Sequence, residues 1–459
     1  MKKRILLVAD NARRDFIATR MLQRAFLKKG ADARLSTLLD MVPNLRRFKP
    51  HGVMANRANM SFAKPASKCS RIYVFPAEGA YLTKESMLAV FKGEAYERID
   101  SVEWVRRCYV WSDYVRNSLL ETGMFRDDQL TVAGSPRLDV YRHHVRTRAL
   151  PTDPKEFTLG VAFSAKTTSA YYGEPHYARA LFDFHKDFSF PWLPPRRHFE
   201  DMCWLDQATL RLSMRYLKRF LEDFPGKVIF RPSPFEDEKE YMFLQKRYPK
   251  RVKVMLNVPL SEWLSRIDLL MTSWSTTGLE AYIEGIPVIS IVGTMDQEHL
   301  FRHVDKVAGG FEKFVASFHL PETEDELFEK IRAAHTGELS VAPQSKEEVA
   351  RLLSDLYNWP YQKAAHEVIT DDVLHDLEDF KEVRKEVWKE SLPIPHQVPL
   401  WLAPLAYYFR NQCRFYKRGN FRTLRDFYRL KDSRVDAALD KMEREAKDHP
   451  AVRTFCSPA

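Results

Sequence analysis

The residues best suited to chemistry sit in Asp268-Leu-Leu-Met-Thr272-Ser273-Trp-Ser275-Thr276-Thr277-Gly278-Leu-Glu280, which reads as a buried strand, a hydroxyl-rich turn and the start of a helix. Hydroxyls and free backbone N–H groups at such a turn suit an anion, so Ser273, Ser275, Thr276, Thr277 and Gly278 are candidate phosphate binders. Glu280, one helical turn beyond Thr276, could reach a ribose. The plainer reading is that Ser275 or Thr276 only caps the helix. A second candidate is Val228-Ile-Phe-Arg231-Pro-Ser233-Pro234-Phe-Glu236, where two prolines stiffen the loop after a strand and present Arg231 and Ser233. Here Glu236 reads as an acid in the first turn of the next helix. A third, Phe163-Ser164-Ala-Lys166-Thr167, adds two hydroxyls and a lysine after another strand. The fourth, Ile72-Tyr-Val-Phe75-Pro76-Ala-Glu78-Gly79, sets Glu78 just past a strand, placed either as a general base towards a hydroxyl nucleophile or as a surface turn acid.

These groups need a scaffold that brings strand ends together. Strand-like and helix-like runs alternate from the start: Arg4–Ala9, a helix over 11–29, then strands over 33–36, 72–75, 109–111 and 130–133. A second series follows the linker-like Pro151-Thr-Asp-Pro154: a strand over 157–163, an amphipathic helix over 207–224, a strand over 228–231, a helix over 236–248, and strands over 252–256 and around Asp268 and Val288. Such alternation gives parallel sheets covered by helices, with ligands at the carboxyl ends of the strands. The expected fold class is therefore α/β: two Rossmann-like, doubly wound domains facing a cleft, with a helical C-terminal extension. The boundaries are read as 1–145, an N-terminal acceptor-side domain, 151–335, a nucleotide-donor domain, and 336–459, the extension.

Composition narrows the function. A chain of 459 residues exceeds one ordinary core. No window approaches the ~18 consecutive apolar residues of a membrane-spanning helix. The basic N-terminus Met1-Lys-Lys-Arg has too short an apolar run for a signal peptide and reads as a first strand. Five cysteines without a C-x-x-C pair argue against a disulfide framework or a zinc site and fit a reducing cytoplasm. There is no D-x-D, no Walker A and no G-x-G-x-x-G, which disfavours a metal-centred transferase, a P-loop enzyme and a simple dinucleotide binder. No metal and no cofactor is expected. The net charge of +10 favours anionic partners.

The order of Pro76-Ala-Glu78-Gly79, Gly134-Ser-Pro136-Arg137-Leu-Asp139, Arg231-Pro-Ser233-Pro234-Phe-Glu236 and Ser275-Thr-Thr-Gly278-Leu-Glu280 resembles bacterial surface-carbohydrate biosynthesis proteins of GT-B glycosyltransferase architecture, over roughly residues 4–291. Three of these motifs are similar to those of sialyl- and Kdo-type transferases that use CMP-linked acidic sugars. The turn and the G-x-P-R-x-D stretch also look like CDP-glycerol glycerophosphotransferases and UDP-GlcNAc 2-epimerases. The resemblance implies Glu78 as base, Ser233-Pro234 in the place of a nucleotide-contacting His-Pro pair, and Ser275, Thr276 and Thr277 as a phosphate clamp. This chain departs from the pattern at Ser233, where histidine is expected, and at Ala77, where a second acid precedes the base. The function implied is metal-independent transfer of a nucleotide-activated, CMP-linked acidic sugar to a glycan hydroxyl in capsule or lipopolysaccharide assembly. The alternatives are glycerophosphate transfer and a non-catalytic subunit that binds a nucleotide-sugar or glycan.

The partners expected are a nucleotide-sugar donor and a glycan or lipid-linked glycan acceptor, with no nucleic acid. Residues 400–430 carry seven Lys/Arg and nine aromatics against one acid, Asp426, a composition that suits an anionic membrane surface. The expected location is the cytoplasm, peripheral on the inner membrane.

Overall fold

A computed structural model describes residues 2–9, 12–37, 41–56, 63–76, 102–144, 148–165, 196–234, 236, 238–255, 258–298, 300, 316–391 and 433–448. Its strands are β1 (Arg4–Ala9), β2 (Asp32–Thr37), β3 (Gly52–Ala55), β4 (Arg71–Val74), β5 (Val105–Val110), β6 (Leu130–Val132), β7 (Thr158–Ala162), β8 (Lys227–Arg231), β9 (Val252–Val254), β10 (Leu269–Thr272) and β11 (Val288–Ser290). Its helices are α1 (Ala12–Lys28), α2 (Met41–Phe48), α3 (Ala63–Ser67), α4 (Asp113–Glu121), α5 (Arg196–Asp223), α6 (Met242–Arg247), α7 (Leu260–Leu264), α8 (Thr277–Ile283), α9 (Glu324–Thr336), α10 (Lys346–Tyr357), α11 (Ala365–Asp376), α12 (Lys385–Ser391) and α13 (Ser433–Asp448). The chain divides into two compact units. The first takes Met1–Gly79, Met87–Arg142 and Ser354–Lys441, and the second is mainly His143–Leu353. Each holds a wholly parallel sheet with flanking helices, so the fold is two Rossmann-like domains with a helical C-terminal region, as expected. No described helix is long and apolar enough to cross a membrane.

The first sheet runs β2-β1-β3-β4-β5-β6. In β1 the run from Ile5 to Ala9 is buried without a break, because helices cover both faces. Leu6 and Val8 pack with Met41 and Leu45 of α2, Ala66 of α3 and Trp388 of α12. On the opposite face Ile5 and Leu7 meet Leu22 and Phe26 of α1 and Ile369 and Val373 of α11.

The segment read as an extension, 336–459, is shared out between the units, and α11 completes the core of the first. Three polar ties, two of them buried, hold α11 there. Asp139, 2% exposed, accepts hydrogen bonds from the backbone N–H groups of Ala365 (3.0 Å) and His366 (2.9 Å), from His366 Nδ1 (2.6 Å) and from the Tyr361 hydroxyl (2.7 Å). A carboxylate thus occupies the positive N-terminus of α11. Further along the helix, Asp372 and Asp376 accept from the hydroxyls of Tyr109 and Tyr73, each at 2.7 Å. Arg106 and Arg71 pair with Asp376 and hold its carboxyl below the usual range, against the opposing effect of burial. The Tyr361 ring lies over Gly134, whose φ is +80° and where a Cβ would come within 2.7 Å of that ring.

The second sheet runs β11-β10-β7-β8-β9. Arg148 holds Asp268 bidentately at 2.6 and 2.7 Å at the amino ends of β7 and β10, and Asp268 also accepts from the Thr158 N–H. In the same unit His144 is gripped on both ring nitrogens, by the fully buried Glu284 at 3.1 Å and by Glu445 at 2.9 Å. Burial pulls its pKa down, but the hydrogen bonds and charges of the two carboxylates outweigh this and lift it to about 9.

Two predictions follow from these ties. Asp139→Ala removes a buried acceptor with four donors and should destabilise the protein by about 3 kcal/mol or more, read as a drop in the urea or thermal midpoint. His144 binds its proton more tightly when folded, so its contribution is complete below pH 6.5 and is lost as the pH rises through 9. Unfolding at pH 6, 7.5 and 9 should show about 3 kcal/mol of such loss in the wild type, and a flatter profile in His144→Gln.

Candidate functional site

The second sheet reverses its strand order between β7 and β10: the chain steps outward through β8 and β9, then returns to the other side of β7. A crevice forms at such a reversal, beyond the carboxyl ends of the strands. The ends are level, since Ser290 pairs with Thr272, Thr272 with Ala162, and Ala162 with Arg231. Three sequence-predicted groups therefore share one edge: Ser273 to Gly278 after β10, Ser164 after β7, and Arg231, Ser233 and Pro234 at the end of β8.

After β10 the chain turns outward. Ser273 is buried, and its carbonyl accepts from the Ser290 hydroxyl at 2.6 Å. Ser275, Thr276 and Thr277 are partly exposed. Ser275 caps the turn, accepting from the Thr277 N–H at 3.2 Å while its hydroxyl donates to Thr277 Oγ1 at 3.0 Å. The backbone N–H groups of Ser275 and Thr276, and the Thr276 hydroxyl, take no partner among the described residues. They are the donors left for a ligand. Gly278 serves packing, because a Cβ there would sit 2.4 Å from the Phe318 ring. Glu280 is 2% exposed in the first turn of α8.

On β8, Arg231 is 9% exposed and donates from Nη1 to the Val258 carbonyl at 2.8 Å. Ser233 and Pro234 are partly exposed. Glu236 is fully buried and binds inward. One of its oxygens accepts from the Ala165 N–H, beside Ser164. The other accepts from the Ser233 N–H at 3.0 Å and the Tyr241 hydroxyl at 3.2 Å. It thus ties the β7 loop to the β8 loop. Burial pushes its carboxyl up to about 8, against the pull of the Ala165 and Ser233 N–H groups. Sequence reasoning gave Glu236 no such task. The available signal was an acid three residues beyond Ser233 in a loop stiffened by two prolines. The single helix read over 236–248 is in fact a 3-10 turn (Glu238–Tyr241) followed by α6, and that turn delivers the Tyr241 hydroxyl to Glu236.

Lys166, Thr167, Glu78 and the segment 400–430 lie outside the described residues. Among the described residues no group of three or more His, Cys, Asp or Glu side chains is arranged to hold a metal ion.

No protein-family model matches this chain, and no curated protein sequence does. Solved structures give likenesses. The UDP-GlcNAc 2-epimerase of Methanocaldococcus jannaschii, in complex with UDP-GlcNAc and UDP, is 12% identical, with 82% of this chain and 100% of that chain covered at a TM-score of 0.45. MnaA of S. aureus with UDP is 12% identical, covering 82% and 97% at 0.44. The wall teichoic acid polymerase TagF is 11% identical, covering 82% and 89% at 0.49.

The turn after β10 generates one test. Thr276→Ala combined with Thr277→Ala should leave the fold intact, since neither hydroxyl carries a described tertiary bond, and should weaken nucleotide binding about tenfold or more by calorimetry.

Proposed function

We propose that this chain is a glycosyltransferase of bacterial surface-polysaccharide assembly that binds the phosphate of a nucleotide-activated donor on its second unit. The observation that carries the reading is the level row of strand ends at the β7/β10 reversal, which bears, beside Ser164 and Ser233, donors of Ser275 and Thr276 that take no partner among the described residues. N–H and hydroxyl donors fixed in advance stabilise the charge that grows on a departing nucleotide phosphate. In the transfer, Glu78 takes the proton of the acceptor hydroxyl, whose oxygen bonds to the anomeric carbon. The bond from that carbon to the phosphate oxygen breaks, and its electron pair leaves with the nucleotide. The donor proposed is a CMP-linked acidic sugar and the acceptor a glycan or lipid-linked glycan, with residues 400–430 meeting an anionic membrane surface.

One observation favours a second reading. Ser233 stands where the resembled transferases have histidine, and its N–H is committed to Glu236, which suits a subunit that binds the nucleotide-sugar without turning it over. Thermal shift with CMP, CDP and UDP tests the nucleotide site, because a ligand of the native state raises its midpoint. No shift with any of them would end the proposal. Slow release of CMP or glycerophosphate from the matching activated donor then separates enzyme from binding subunit, and the donor that is cleaved identifies the class. Glu78→Gln should bind the donor as the wild type does and lose ~10²-fold or more in transfer rate; a near-normal rate would remove the base assignment.

A further inference from the structure

The best-satisfied buried acid at the row of strand ends cannot touch a ligand. Glu236 is fully buried, and around it the rings of Phe163, Phe230 and Tyr241 pack on one another at centroid distances of 4.5 to 6.4 Å. What it can do is hold other groups still. Its two oxygens reach the N–H of Ala165 and the N–H of Ser233, which belong to loops leaving adjacent strands. Each loop carries one hydroxyl of the proposed nucleotide site, Ser164 on one and Ser233 on the other. We infer that Glu236 is a positioning residue of that site, fixing the two loops against each other, and that nucleotide binding is linked to uptake of a proton by Glu236. This inference rests on the nucleotide reading of the second unit.

The direction follows from charge. A phosphate at these strand ends opposes a carboxylate beneath them and favours the neutral acid. Among the titratable groups that act on Glu236 are Asp206 from α5 and Tyr241 from the 3-10 turn, and Asp206 pushes the same way as the phosphate. The Tyr241 hydroxyl can rotate from donor to acceptor, giving the acid's proton a partner without moving either loop. Burial already places the titration near pH 8, so a bound anion moves it higher still. If the bound form titrates one unit above the free form, affinity falls about fivefold between pH 7 and 9.

Calorimetry of CDP and UDP binding to the full chain at pH 8, in buffers of different ionisation enthalpy, counts the protons taken up. The second phosphate ionisation lies near 6, so the nucleotide contributes little at that pH. The wild type should take up a fraction of a proton and lose affinity severalfold from pH 7 to 9. Glu236→Gln keeps the shape of the side chain but does not titrate, so it should bind more weakly at pH 7 and show a flat profile. Binding by the wild type with no proton uptake overturns the inference whether or not the variant folds. The same uptake in Glu236→Gln assigns the proton to another group and also overturns it. A wild type that binds neither nucleotide at any pH removes the site reading itself, and the inference with it.

Discussion

The carboxylate of Asp139 receives the N-terminus of a helix that arrives 226 residues later in the chain. Without that meeting the first sheet would lack one of its covers. Isolated helices as short as α11, with 12 residues, are marginal in water, so its helicity has to come from what it packs against. Asp139 satisfies the first N–H groups, Tyr109 and Tyr73 anchor Asp372 and Asp376 further along, and Ile369, Val373 and Leu377 then close over Ile5, Leu7 and Met54. Polar ties set the register of the helix, and apolar burial supplies most of the favourable free energy.

The second unit also relies on a buried carboxylate, here just beyond the carboxyl end of β8. Parallel strands spend their backbone groups on each other and stop level, which leaves the loops beyond them to be arranged by side chains. Glu236 arranges two of those loops, and the Ser290 hydroxyl, reaching the carbonyl of Ser273, helps to arrange a third. The Phe318 ring presses on Gly278 and sets where the turn before α8 begins. What is left unspent after this arrangement, at Ser275 and Thr276, faces outward, and that residue of donor capacity is the basis of the functional reading.

The sequence and the structure agree where the signal is local. β1 runs from Arg4 to Ala9 as the apolar run indicates, and the boundaries of β2, β7, β8 and β10 fall within a few residues of their expected places. β3 escaped notice because Gly52–Ala55 is only four residues long, buried throughout, and carries no polar alternation to mark it. The Gly134 to Asp139 stretch was legible only as a motif, since nothing nearby in the chain shows that Tyr361 will cover the glycine or that His366 will meet the aspartate. Glu236 was legible as an acid near a helix start, whereas its burial depends on a tyrosine hydroxyl and on a neighbouring strand 71 residues away. The strand-end hydroxyls were legible as a set because topology alone brings them together.

The return of α11 to the first sheet has a consequence for synthesis. The ribosome makes all the described strands of the first unit before residue 133, yet the face formed by Ile5, Leu7, Tyr73 and Tyr109 waits for residues 369–377 to complete its cover. All five strands of the second sheet are complete by Ser290, well before that segment emerges. A nascent chain at that stage holds the five strands of the second sheet and a first sheet whose apolar face is covered by α1 alone, and such exposed surfaces are where aggregation begins and chaperones bind. The first sheet is therefore made early and covered late, since α11 lies some 230 residues beyond its last strand.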